Sequence, residues 1–121
     1  MQSQATLLDV RPFCRLFKAL SDDTRLRMVA ILAHGELCVC HVEEALGLPQ
    51  STASRQLGIL KDAGIVAGRR QGTWIYYRLA SQTDEACEKL LQVLVGSFSR
   101  QEQLRRDVER LVQIQGPQSC P

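Results

Sequence analysis

At 121 residues the chain is long enough for one buried core and too short for two. Its 45% hydrophobic and 23% charged content is that of an ordinary globular domain, with no apolar run near the roughly 18 residues a membrane span needs and no signal-peptide pattern in MQSQATLLDVR, so the cytoplasm is expected. The net charge of +2 hides a division: residues 50–79 carry five cations and one anion, the remainder ten cations and twelve anions, and a concentrated positive segment is what a phosphate-binding surface requires.

The first expected element is a helix over Thr6 to Leu20, broken or kinked near Pro12, with Leu7, Leu8, Phe13, Leu16, Phe17 and Leu20 as apolar positions and Cys14 within it. Ser21 then reads as an N-cap, and Asp22 and Asp23 complement the positive end of the next helix. Leu26, Val29, Ala30 and Ala33 recur on one face of that helix until Gly35 ends it.

Residues 37–63 read as a helix-turn-helix. A third helix begins around Leu37 to Val39 and runs to Leu46, and Gly47, Leu48 and Pro49 break it. From Ser51 to Ala63, Ala53, Leu57 and Leu60 fall at i, i+4 and i+7, so one stripe is buried and Ser51, Thr52 and Arg55 project oppositely. Hydroxyl residues and an arginine at exposed N-terminal turns suit a helix entering the major groove of DNA. The candidate DNA contacts here are Gln50, Ser51, Thr52, Ser54, Arg55, Gln56 and Lys61; the competing reading is a merely solvated face.

The period then changes. Ile65 to Arg70 and Trp74 to Leu79 are β-branched and aromatic around the turn-prone Gln71 and Gly72, a hairpin over 65–79. Its tip adds Arg69, Arg70, Gln71 and Thr73 to the candidate contacts, and a basic hairpin directly after a groove-reading helix is a wing. Residues 83–113 read as one helix with Leu90, Leu91, Leu94, Val95, Phe98, Leu104, Val108, Leu111 and Val112 as apolar positions. Thirty residues would span on the order of 45 Å, more than so small a domain covers. The first and last helices are therefore expected to pair across a twofold axis, giving a homodimer that doubles the reader for a palindromic site. Residues 114–121 are expected to be a flexible tail, which carries Cys120. The fold expected is mostly α with a small β-hairpin, a winged helix-turn-helix.

Five cysteines in no regular framework read as mostly reduced thiols. Cys38 and Cys40 stand at a helix start, where the dipole favours thiolate and a loose first turn lets both converge on one soft ion: trivalent arsenic or antimony, cadmium, lead, or zinc less comfortably. The competing readings are two small buried hydrophobes, or a redox switch in which Cys38 and Cys40, or one of them with Cys14, form a disulfide, the two-residue offset giving a strained ring. The C-x-x-C of a thiol reductase is absent, as is an arginine six places after a cysteine, so neither an enzyme nor a catalytic cofactor is expected.

The run FKALSDDTRLRMVAILAHGELCVCHVEEALGLPQSTASRQLGILKDAGIVAGRRQGTWIYYRL resembles the ArsR/SmtB family of metal-responsive winged-helix repressors. The motifs that carry the resemblance are ALSDDTRLRMVAIL, S-x-x-S-R-x-L-x-x-L-x-x-A-G and R-x-G-x-W-x-x-Y-x-L. It implies a repressor that leaves its operator, double-stranded DNA, when metal binds, and ELCVC is similar to the arsenic- and antimony-sensing members, with the ion acting as inducer. Such members often carry a third cysteine where this chain has Glu43, which leaves the third ligand open. Cys14, from either subunit, is the first candidate; Cys120, His41 or an external thiol are alternatives. Cadmium-sensing relatives supply two N-terminal cysteines and this chain one, which favours a three-thiolate site. Zinc sensors of the family use His and Asp on the last helix, which here has no His. Cys87 is expected to be packing, and His34 a cap or surface residue.

Overall fold

The computed structural model of the protein describes residues 9–114. Helix α1 (Arg11–Leu20) has Pro12 in its first turn, where the missing amide is one that no helix bonds internally. Proline therefore stands in the opening turn of this helix, and residues 6–8 of the expected Thr6 to Leu20 helix lie outside the described residues. Asp22, not Ser21, caps α2 (Asp23–Leu32): its carboxylate accepts from the Arg25 amide at 3.1 Å. Ser21 serves the preceding end, its hydroxyl donating to the Lys18 carbonyl at 3.2 Å. Met28, Val29, Ala30, Ile31 and Leu32 are all buried, so α2 is enclosed on every side by the end of its length and forms the middle of the core.

A two-residue strand, β1 (Leu37–Cys38), precedes α3 (Val39–Leu46). Gly47, at φ 67°, lets the chain reverse while the Leu48 amide donates to the Glu43 carbonyl at 2.9 Å, a left-handed helix end that favours glycine. After Pro49, α4 (Gln50–Asp62) buries Ala53, Leu57 and Leu60 completely, the stripe its spacing predicts. Strands β2 (Val66–Gln71) and β3 (Trp74–Leu79) form the hairpin. It is not alone, because β1 pairs with β3 to give a three-stranded antiparallel sheet of order β1-β3-β2.

The expected continuous helix over 83–113 is two helices. Asp84 caps α5 (Glu85–Ser97) by accepting from the Cys87 amide at 3.0 Å. A 3-10 turn at Phe98–Arg100 then leads into α6 (Glu102–Ile114), which packs on α3 and α2. Phe98 is buried at the break, and Leu111 is wholly buried, with Leu104 and Val108 half-buried against the core. Leu104, Val108 and Leu111 of α6 thus pack within the chain, while Val112 is left 67% exposed. An apolar surface remains on α1 and α5, where Phe17 is 54% and Val93 73% exposed. These two helices and Leu26 border a groove of about 450 Å³ lined by Leu16, Phe17, Leu20, Leu90, Val93 and Leu94. Among the described residues no helix is long and apolar enough to cross a membrane.

Candidate nucleic-acid interface and thiol pair

The buried stripe of α4 fixes which residues face out. Gln50, Ser51, Ser54, Arg55 and Lys61 are exposed and Thr52 is half-buried. Pro49 offers no side-chain cap to α4, and the first-turn amides of a helix bond no carbonyl within it, an arrangement suited to a phosphate. Gln56 differs from its neighbours. It is half-buried, and its side-chain carbonyl accepts from Arg25 Nη1 at 2.7 Å, while Arg25 Nε donates to the Ala19 carbonyl at 2.6 Å. Gln56 thus ties α4 to Arg25 of α2, which in turn holds the end of α1.

On the wing, Gly72 turns the chain at φ 63° and leaves Arg70, Gln71 and Thr73 exposed. Arg69 is engaged within the protein. Its Nε and Nη2 donate to the Glu36 carboxylate at 2.9 and 2.7 Å, its Nη1 donates to Gln71 Oε1 at 2.5 Å, and its guanidinium carbon lies 4.8 Å from the centroid of the Tyr76 ring. The fork from Arg69 holds Glu36 below the ordinary carboxylate range. The Glu36–Arg69 pairing is not legible in local spacing, since 33 positions separate the two, and nor is Arg25–Gln56, 31 apart.

Cys38 and Cys40 are brought together. Cys38 is fully buried, ends β1 opposite Tyr76, and is the N-cap residue of α3; Cys40 is half-buried in the first helical turn. Their sulfurs are 3.1 Å apart.

No third ligand joins them within one protomer: among the described residues no three His, Cys, Asp or Glu side chains converge. Cys14 is exposed on α1, which packs on α2, α4 and α5. It shares a face of α1 with Val10 and Phe17, at i−4 and i+3, both exposed. His41 is half-buried on α3, His34 is exposed in the turn after α2, and Cys120 lies outside the described residues. Cys87 is buried in the first turn of α5, and burial pushes its thiol up from the usual range.

A short helix, a tight turn, a second helix with a polar outer face and a basic hairpin beside it make a winged helix-turn-helix. Residues 22–67 match the family model of the bacterial regulatory protein, arsR family. The chain is 42% identical over 110 residues to the arsenic resistance transcriptional regulator ArsR1 of Pseudomonas putida, covering 87% of this chain and 84% of that one. It is 41% identical over 99 residues to the arsenical resistance operon repressor of Escherichia coli, covering 72% and 85%. The solution structure of a homodimeric winged helix-turn-helix DNA-binding domain from Mycobacterium bovis superposes with a TM-score of 0.64 at 35% identity, covering 84% of this chain and 93% of that one. The chain therefore belongs to the arsR family and is a winged helix-turn-helix transcriptional regulator.

Proposed function

We propose that the protein is a homodimeric repressor that binds operator DNA through α4 and the wing and is released when trivalent arsenic or antimony binds Cys38 and Cys40. One observation carries the reading: the sulfur pair, at 3.1 Å, sits where β1 passes into α3. Cys38 is bonded through its strand to the wing and begins the helix that packs on α4, so whatever moves it moves both DNA-facing elements.

The remaining support is chemical. Thiolates select soft ions, and two relatives named above are described as an arsenic resistance regulator and an arsenical resistance operon repressor. The exposed apolar surface of α1 and α5 suits a second copy, as does the homodimeric assembly of the Mycobacterium bovis domain. Cys14 belongs to that same surface of α1, so Cys14 of a second copy is the third thiolate we assign, with Cys120 or an external thiol as the alternatives.

In the free dimer the two α4 helices present themselves to half-sites about one helical turn apart, roughly 34 Å. An ion gripping Cys38 and Cys40 re-aims the N-terminus of α3, tilts α4 and spoils that spacing. Coupling of this kind typically changes affinity roughly 5- to 150-fold.

The test is titration of a labelled promoter fragment with protein, then with arsenite, antimonite, cadmium, zinc and peroxide in parallel. Arsenite and antimonite are expected to release wild-type protein but not Cys38→Ser or Cys40→Ser, and Cys14→Ser to respond only at higher metalloid. Release by cadmium alone, or by peroxide without metalloid and reversibly by dithiol, would replace the pnictogen with a different signal. Equal release of the Cys38→Ser and Cys40→Ser proteins would move the site elsewhere.

A further inference from the structure

We propose that Arg69 is a positioning residue that carries the state of the thiol pair to the wing, held by Glu36 and Tyr76 on the sheet rung that ends in Cys38, and is not a DNA contact. This rests on Cys38 and Cys40 being the metalloid site.

The register sets the geometry. Cys38 lies opposite Tyr76 on β3, and Tyr76 lies opposite Arg69 on β2. Residues directly opposed in an antiparallel sheet project to the same face, so Cys38, Tyr76 and Arg69 form one row across all three strands. Glu36, two residues before Cys38, closes the row by taking the Arg69 fork while the guanidinium rests over the Tyr76 ring. The strand that bears the thiol is thereby fastened to the outermost strand of the wing, across the strand between them. Displacement of Cys38 toward an ion shared with Cys40 pulls on Tyr76 through the backbone ladder and on Arg69 through Glu36.

The same bonds bias Arg69 away from phosphate. Three of its five N–H donors, one each on Nε, Nη1 and Nη2, are already engaged, and the Glu36 carboxylate offsets its charge. Arg70, the next residue, projects to the other face, is exposed, and has no such bond among the described residues. It is the wing arginine suited to the duplex.

The chain has one tryptophan, Trp74, half-buried where the wing turn enters β3, so its emission reports wing geometry without DNA present. The experiment uses the full-length protein as wild type, Glu36→Gln, Arg69→Gln and Arg69→Lys. Three quantities are measured: arsenite uptake, by protection of thiols from alkylation; the Trp74 emission change on arsenite addition; and the salt dependence of operator binding. The expected result is unchanged uptake in every variant, an emission change at least halved in Glu36→Gln and Arg69→Lys, and an unchanged salt slope in Arg69→Gln. A slope lowered by about 1 in Arg69→Gln and restored by Arg69→Lys would make Arg69 a phosphate ligand and overturn the proposal. So would a full emission change in Glu36→Gln and Arg69→Lys, or wild-type protein that takes up arsenite with no change in emission. Wild-type protein that takes up no arsenite would instead remove the metalloid reading, and this inference with it.

Discussion

Arg27 and Asp107, 80 positions apart in the chain, form a fork: Arg27 Nε and Nη2 donate to the two oxygens of Asp107 at 2.8 and 3.0 Å, and Gln103 donates a third bond at 3.0 Å. Asp107 is 3% exposed and Arg27 25%. This contact fastens α6 to α2 and thereby holds α6 behind α3, the helix that starts at the thiol pair.

Asp107→Ala removes the acceptors and leaves Arg27 largely buried without its partner. Breaking a fully buried pair costs about 3 to 5 kcal/mol, and the partial exposure of Arg27 reduces this to about 2 to 4 kcal/mol. Urea denaturation followed by far-ultraviolet circular dichroism measures it, and a midpoint within error of wild type would show that the fork adds nothing.

Cys87 gives the fold an alkaline limit. Burial raises its thiol above the ordinary value of 9.0, so the folded state holds the proton more tightly than the unfolded chain. Its contribution to stability is whole below about pH 9 and is lost as pH rises through the folded value. The stability lost between pH 8 and pH 10.5 is expected to be smaller in Cys87→Ala than in wild type. Identical losses in the two proteins would assign the alkaline limit to other groups.

Glu36 gives the wing an acid limit. The Arg69 fork lowers its carboxyl below the ordinary value of 4.5, so its hold on the wing is complete above that value and is lost as pH falls through the lower folded one. Trp74 emission is expected to change across that range in wild type and to start already changed, and flatter with pH, in Glu36→Gln. The same acid transition in both proteins would show that another carboxylate sets it.

Gly68, exposed on β2, lies opposite Tyr77. A Cβ there would stand 3.1 Å from the ring of Tyr77, which is 9% exposed and has little room to withdraw. Gly68→Ala is expected to cost about 1 to 2 kcal/mol and to weaken operator binding by shifting β2 against β3. Thermal unfolding and a binding isotherm check both, and unchanged values would mean the ring swings clear.

The elements that read directly from sequence are those with strong local signals. Ala53, Leu57 and Leu60 repeat with helical period, Gly47 and Pro49 punctuate the turn, and β-branched and aromatic residues mark the wing. What local patterning lacks is long-range pairing. A two-residue strand such as β1 has no period, and its existence depends on Tyr76 and Tyr77 nearly forty positions on. The break between α5 and α6 lies inside an apolar spacing that runs on through it; Gly96-Ser97 and the Ser99-x-x-Glu102 pattern are its only local signals, and burial of Phe98 and the docking of Asp107 on Arg27 accompany it. Ser21 and Asp22 are both good caps, and their order was decided by Ser21 closing α1. At the site, sequence supplies the thiol pair and the basic surface. It conceals that Gln56 and Arg69 are held by Arg25 and Glu36.

The central claim is that metalloid occupancy at Cys38 and Cys40 and grip on the operator oppose each other. Linkage requires the opposition to be mutual. The most direct measurement is therefore the arsenite affinity of the protein free and saturated with its promoter fragment, at one salt concentration. The account predicts weaker arsenite binding on DNA, by the same roughly 5- to 150-fold factor by which arsenite weakens DNA binding. Equal arsenite affinity in the two states would contradict it.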